Sequence, residues 1–276
     1  MEIIRTIAEL RARLVSETGI AFVPTMGNLH DGHLHLVKIA REHAPCVVVS
    51  IFVNPLQFGA NEDLASYPRT PEQDCAKLET AGADVVFMPS AEEIYPTPQQ
   101  ITVAPPPVAD QLCGASRPGH FRGVATVVLK LFNVVRPTVA VFGKKDFQQL
   151  FILREMVRQL NLPITLVGAE TMRESDGLAM SSRNAYLNPA QRLEAPRLHR
   201  ALRQVVQAAQ GGQHDFAAIE TQTAQYLTQL GWIVDYIAIR SANTLLPPEP
   251  REHELIALGA ARLGTTRLID NIGFAL

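Results

Sequence analysis

The sequence predicts an α/β fold in which a mostly parallel sheet comes first and a smaller α+β domain follows. Three observations predict it. From about residue 20 to residue 167, short runs rich in β-branched residues alternate with segments of helical period. Glycine or proline turns stand where several of these runs end. Near residue 175 the rhythm changes, and the last strands follow one another without long helices between them. Two units are expected, 1–175 and 176–276.

The elements follow in order. Ile4, Ile7, Leu10, Leu14 and Val15 repeat at a helical period, so the chain is expected to open with a helix. Ile20–Val23 reads as a buried strand that Pro24 ends. A helix is expected over His30 to His43 and a second strand over Cys46–Val53. Thr70-Pro71 opens the next helix, since threonine caps well and proline is tolerated at the first helical position; Gly82 closes it. Asp84–Met88 is a strand, and a proline-rich crossing from Pro96 to Pro107 follows. Phe121–Val135 and Asp146–Leu160 are helices, each leading to a strand, with Thr138–Phe142 between them and Ile164–Val167 after. This alternation implies a Rossmann-like parallel sheet with right-handed crossovers, whose ligands sit beyond the carboxyl ends of the strands. Past residue 175, Asn188-Pro189 starts a long helix to about Gln210, and Phe216 to Leu230 forms another. Trp232–Ile239, Glu254–Ala260 and Thr266–Ile272 are then strands.

Composition excludes several classes. Hydrophobic residues at 47% and charged residues at 19% describe a folded globular chain rather than a disordered one. With 25 basic and 27 acidic side chains, it lacks the basic excess of a nucleic-acid binder. The longest apolar run, about Cys46–Val53, falls far short of the roughly 20 residues a spanning helix needs, so no membrane partner is expected. Cys46, Cys75 and Cys113 are odd in number, widely spaced and outside any C-x-x-C pattern, which reads as a reduced, cytoplasmic protein.

Four segments carry chemistry. In PTMGNLHDGH a strand passes a glycine and enters a helix, whose start offers free N–H groups and a positive dipole end. His30 and His33 are three apart and share a helical face, where two imidazoles can donate to a phosphate. The alternatives are two structural histidines, or zinc with His35 as a further ligand; the second lacks the H-E-x-x-H spacing. In SIFVNPLQFG, Asn54 and Gln57 can read the hydroxyls of a small branched acid, with Leu56 and Phe58 covering its methyl groups. In VFGKKDFQQ, Lys145 can neutralise phosphate oxygens, Asp146 can cap the helix and Gln149 can face the same cleft. In MRESDGLAMSSRN, serines beside Arg183 form a candidate triphosphate clamp or a polar hinge. All four fall at carboxyl ends of expected strands. Neither a Walker A loop nor G-x-G-x-x-G is present, and no nucleophile arrangement stands out, so catalysis by positioning and charge stabilisation is favoured.

These segments, with YPRT and GHFRGVATVV, resemble the pantothenate synthetase (pantoate–β-alanine ligase) family within the broad HxGH nucleotidyltransferase superfamily. The match is close over about residues 20–190 and looser beyond. The resemblance implies an ATP-dependent ligase that converts pantoate to pantoyl adenylate and then joins it to β-alanine, releasing AMP and pyrophosphate. It implies catalytic roles for His33, as proton donor, and for His30, Lys145 and Arg183. To ATP it assigns Met26, Gly27, Asn28, Leu29, His30, Asp31, Gly32 and His33, the turn Gly143, Lys144, Lys145 and Asp146, and then Met172, Met180, Ser181, Ser182 and Arg183. To pantoate and β-alanine it assigns Met26, Asn54, Gln57 and Gln149, with Arg117 and His120 at the mouth of the cleft. It further implies magnesium, with Asp74 as a ligand in a segment that matches the family's acidic set only in part, and a homodimer. The nearest rivals are another HxGH adenylyltransferase acting on a phosphorylated acceptor and a non-catalytic nucleotide sensor.

Overall fold

The computed structural model describes residues 1–59 and 64–276. The chain runs β1 (Glu2–Ile4), α1 (Ile7–Leu14), β2 (Ile20–Thr25), α2 (Asp31–His43), β3 (Cys46–Ile51), α3 (Pro71–Ala81), β4 (Val85–Phe87), α4 (Ala91–Ile94), α5 (Cys113–Ser116), α6 (His120–Val135), β5 (Val139–Gly143), α7 (Phe147–Gln159) and β6 (Thr165–Ala169). These strands form one parallel sheet in the order β1-β4-β3-β2-β5-β6. The order reverses at β2: the chain moves outward through β3 and β4 on one side and through β5 and β6 on the other. Open α/β sheets take ligands at such a reversal, beyond the carboxyl ends of the strands.

Alternate strand residues feed opposite layers, as a period of two requires. Ile20 and Phe22 join the layer built with α1, α6 and α7, while Ala21 and Val23 join the layer built with α2 and α3. Both faces are covered, which is why these strands read as continuous apolar runs rather than alternating ones.

The chain continues through α8 (Pro189–Glu194), α9 (Arg197–Gln210), α10 (Phe216–Gln229), β7 (Ile233–Ser241), β8 (Glu254–Leu263) and β9 (Thr266–Ala275). The last three strands form an antiparallel sheet in sequence order. Leu198, Leu202 and Val205 of α9 and Ile219 and Leu227 of α10 pack with Ile239, Leu255 and Ala257 on one face. Ala238, Ile256 and Leu258 face the other way, against Val108, Leu112, Phe147 and Phe151. The small sheet is therefore held between its own helices and the α7 side of the large sheet, as the expected α/β plus α+β architecture requires.

Three local readings change. Ile4 lies in strand β1 and pairs with Phe87, rather than in the first helix, and Val15 is 85% exposed. A three-residue edge strand is too short to display alternation. Pro24 does not end β2 but lies within it, paired with Ser50. Ile20 accepts from Thr138 on the β5 side and Thr25 accepts from Phe52 on the β3 side, so alternation turns Pro24 towards β5. The β2–β5 pairing has already stopped at Phe22–Ala140, and the missing N–H costs no ladder bond there. The helix expected from Pro189 to Gln210 is broken between α8 and α9 at Ala195-Pro196, because proline in a helix interior removes a hydrogen bond and clashes with the preceding turn.

Candidate active site

The turn from β2 into α2 is held from beneath by a carboxylate. Gly27 and Asn28 both have positive φ, 87° and 51°, and this pair points successive backbone N–H groups inwards. Asp74, fully buried on α3, accepts from Asn28 N–H and Leu29 N–H at 2.8 Å each and from Thr70 Oγ1 at 3.1 Å. Lys77, one turn later on α3, donates from Nζ to the Leu29 carbonyl at 2.6 Å. Ser182 Oγ donates to the Asn28 carbonyl at 3.1 Å, tying in the segment after β6.

That turn delivers two histidines. His30 is the N-cap of α2, and its Nδ1 accepts from Gly32 N–H at 3.2 Å. His33 Nδ1 accepts from His30 N–H at 3.3 Å. With both Nδ1 atoms acting as acceptors, each neutral ring carries its proton on Nε2. Burial, and then the Lys145 charge, push His30 down to about 4. Burial, followed by His30 and Lys145, pushes His33 down to about 3. The pair is therefore neutral near pH 7, a set of two N–H donors. The His30 ring closes over Gly32: a Cβ there would lie 2.9 Å from its Cε1.

Beyond β3 an amide network forms. Asn54, 1% exposed, donates from Nδ2 to Gln57 Oε1 at 3.0 Å and to the Gly123 carbonyl at 3.2 Å. Its Oδ1 accepts from Tyr95 OH at 2.7 Å. Gln57 Nε2 donates to Met26 Sδ at 3.0 Å. Helix α6 comes so close that a Cβ at Gly123 would fall 2.1 Å from the Leu56 carbonyl oxygen. His120 Nδ1 lies 2.8 Å from the Gln57 carbonyl, and Arg117 Nη1 lies 2.9 Å from His120 Nε2.

From β5 a single turn, Lys144–Asp146, leads into α7. Lys144 turns outward to pair with Glu170, whereas Lys145 lines the crevice. After β6, Met172 to Met180 form a narrow hairpin: Met180 N–H donates to the Met172 carbonyl and Glu174 N–H to the Leu178 carbonyl, with Gly177 at positive φ. A 3₁₀ turn, Ser182–Tyr186, then carries Arg183, whose guanidinium lies 5.9 Å from the centre of the Tyr67 ring.

The two histidines, the amide side chains of Asn54 and Gln57, Lys145 and Arg183 open into one cavity of about 230 Å³ between the ends of β2 and β5. Met26, His30, His33, Asn54, Gln57, Lys145, Gln149, Met172, Met180 and Ser181–Arg183 line it together. A larger cleft of about 510 Å³ shares Lys145, Gln149 and Arg183 and extends past Arg117 and His120 to β9. The family model of pantoate–β-alanine ligase matches residues 2–273. The chain belongs to the pantoate–β-alanine ligase family. A pantothenate synthetase from Methylobacillus flagellatus is 65% identical over 276 residues, which is 100% of this chain and 99% of that protein. The crystal structure of pantothenate synthetase from Thermus thermophilus matches with a TM-score of 0.93 at 48% identity, covering 99% of both chains. That of a pantoate–β-alanine ligase from Francisella tularensis, complexed with beta-gamma ATP and β-alanine, matches with a TM-score of 0.83 at 33% identity, covering 99% of this chain and 97% of that one.

Within this ligase, most residues named from the sequence meet, but several have other positions. Gly143, Asp146 and Gly32 also line the cavity. Gly27, Asn28 and Leu29 form the clamped turn instead; Leu29 is 2% exposed. Asp31 is exposed at the start of α2. Asp74, expected as a magnesium ligand, has both oxygens committed to the backbone and no face on the cavity. Leu56 and Phe58, expected to cover the methyl groups of an acid, do not line this cavity: Leu56 is 37% exposed and Phe58 packs edge-on against Tyr67. Val124, Val127 and Leu131 of α6, with Phe52, form its apolar wall in their place. The sequence presents those α6 positions as ordinary core of an amphipathic helix, and no residue type marks them. Gln148 and Gln149 are neighbours with different fates. Gln148 is buried and bonds the Val108 and Gln111 carbonyls and the Cys113 N–H, while Gln149 reaches the cavity.

Proposed function

We propose that this chain, a pantoate–β-alanine ligase by family, runs both half-reactions in the β2–β5 crevice. Pantoate lies against Met26, Asn54, Gln57 and Gln149, with its methyl groups on Val124, Val127 and Leu131. ATP lies along the start of α2, the Gly143–Asp146 turn, the Met172–Met180 hairpin and Ser181–Arg183. In the first step a pantoate carboxylate oxygen bonds to the α-phosphorus as the bond to pyrophosphate breaks. In the second, the β-alanine amine bonds to the acyl carbon, the carbon–oxygen bond to AMP breaks, and the amine loses its proton. The observation that carries this reading is the convergence of both imidazoles, Lys145 and Arg183 with the three amide side chains on one cavity.

Each group has a chemical task. Lys145 and Arg183 stabilise charge on the phosphoryl oxygens as the transition state forms. His30 and His33 donate hydrogen bonds from Nε2 to oxygens whose negative charge grows as pyrophosphate departs, and neutral rings do this without first taking up a proton from solution. Magnesium is carried on the ATP phosphates. Among the described residues no group of three or more His, Cys, Asp or Glu could hold a metal ion, and the Asp74 oxygens are already occupied. Residues 176–276 serve as a lid over the nucleotide, since Ser181–Arg183 stand where the two sheets meet. The chain acts as a homodimer in the cytoplasm, a reading supported by family resemblance and three unpaired cysteines.

The test is mass-spectrometric detection of pantoyl adenylate from protein, MgATP and pantoate without β-alanine. Formation of the adenylate, and its conversion to pantothenate on adding β-alanine, is the expected result. AMP transfer to a phosphorylated acceptor in preference to pantoate, or ATP binding without turnover, would overturn the reading.

A further inference from the structure

Two adjacent residues of the last strand grip the segments that face the nucleotide. Asn271 of β9 is 8% exposed, and its Nδ2 donates to the Lys144 and Lys145 carbonyls at 2.9 Å each. Asp270 is 5% exposed and pairs with both Arg173 nitrogens, Nη1 at 2.7 Å and Nη2 at 2.9 Å. His199 of α9 approaches the same carboxylate at 3.2 Å, and Arg173 Nη1 also donates to the Gly177 carbonyl at 3.1 Å. One dipeptide on the small sheet thus holds the turn that carries Lys145 and the hairpin that carries Met172 and Met180.

The chemistry of Asn271 suits positioning. A neutral amide supplies two donors to two carbonyls of a tight turn, and it adds no charge beside the lysine. The Lys145 backbone is then fixed through its carbonyl. Removing the amide takes one hydrogen bond from each of these carbonyls and leaves the turn freer to drift.

We propose that Asn271 is a positioning residue for Lys145 in adenylate formation, and that Asp270 plays the same part for the Met172–Met180 hairpin through Arg173. The proposal rests on the reading of Lys145 as an ATP-facing group. The link ties the register of the C-terminal sheet directly to the charge in the crevice.

The experiment is a double-mutant cycle on the full chain with Asn271→Ala, Lys145→Ala and the pair, measured as single-turnover pyrophosphate release from MgATP and pantoate. Pantoate affinity and thermal midpoint are recorded alongside. A displacement of about 1 Å in a reacting group costs up to roughly 100-fold, so Asn271→Ala is expected to slow adenylation by about 10–100-fold with pantoate affinity unchanged. Added to Lys145→Ala, it should cost no more than about threefold, because its target is gone. A wild-type rate for Asn271→Ala, or an undiminished loss in the Lys145→Ala background, overturns the proposal. A wild-type rate for Lys145→Ala overturns the underlying reading of the site instead. If the alanine variant does not fold, Asn271→Ser, which keeps one donor, runs the same cycle with the same criteria.

Discussion

The backbone N–H of His30 donates to Nδ1 of His33, and the two rings lie with their centres 4.1 Å apart at 42°. Each ring spends its acceptor on the turn that holds it, which leaves Nε2–H as the group offered to the crevice. Nitrogen-15 chemical shifts of the two imidazoles should therefore report the Nε2–H tautomer, unchanged between pH 8 and about 5.5, given positions of about 4 and about 3 for His30 and His33. Titration of either ring with a midpoint near the ordinary 6.5 would contradict the geometry.

The same depression has a consequence for stability. Above the ordinary value of 6.5 both rings are neutral whether the chain is folded or not. As pH falls from 6.5 towards about 4 and about 3, the unfolded chain takes up protons at these two positions that the folded chain refuses. Stability therefore drops with acid across that window. Urea midpoints at pH 7 and pH 5 should differ less in a His30→Gln, His33→Gln double variant than in the parent chain.

Asp74 anchors the turn beneath those histidines through two backbone N–H groups and Thr70. Asp74→Asn turns one acceptor into a donor aimed at an N–H and should cost about 2–4 kcal/mol of stability. Chemical denaturation measures it. Because the carboxylate serves the backbone, adding a chelator without nucleotide should leave the parent's thermal midpoint where it was; a fall would return a metal to Asp74.

Gln57 and His33 should separate by ligand. Gln57→Ala removes the amide that bridges Asn54 and Met26, so calorimetric titration should find pantoate weakened much more than ATP. His33→Ala should bind ATP yet lose roughly 10²–10⁴-fold in adenylation rate. Equal losses for both ligands in either variant would argue for general disruption.

Much of this was readable in the residues. The β-branched runs and glycine turns mark the parallel sheet, and the four polar segments stand at its carboxyl edge because that is where backbone ends are free to carry them. What sequence could not convey depends on pairs distant along the chain. Ile4 becomes a strand only because Phe87 lies beside it, and Pro24 stays in its strand only because the β5 ladder has already ended. Family resemblance pointed to Asp74 as a metal ligand, and its bonds to Asn28 and Leu29, 46 and 45 residues away, cannot be read from the sequence. The apolar wall of the cavity hides among core positions of α6, and Asn271 lies far from every recognised motif.

The near-contact of Gly123 with the Leu56 carbonyl makes helix and pocket floor a single rigid piece. The helix cannot back away without breaking the Asn54 bond to the Gly123 carbonyl, nor move closer without meeting the Leu56 carbonyl. If the acid lies where we propose, size discrimination falls to the side chains the helix projects there, Val124, Val127 and Leu131. Anyone wishing to retrain the enzyme towards a different hydroxy acid should trim or lengthen those three and leave the floor alone.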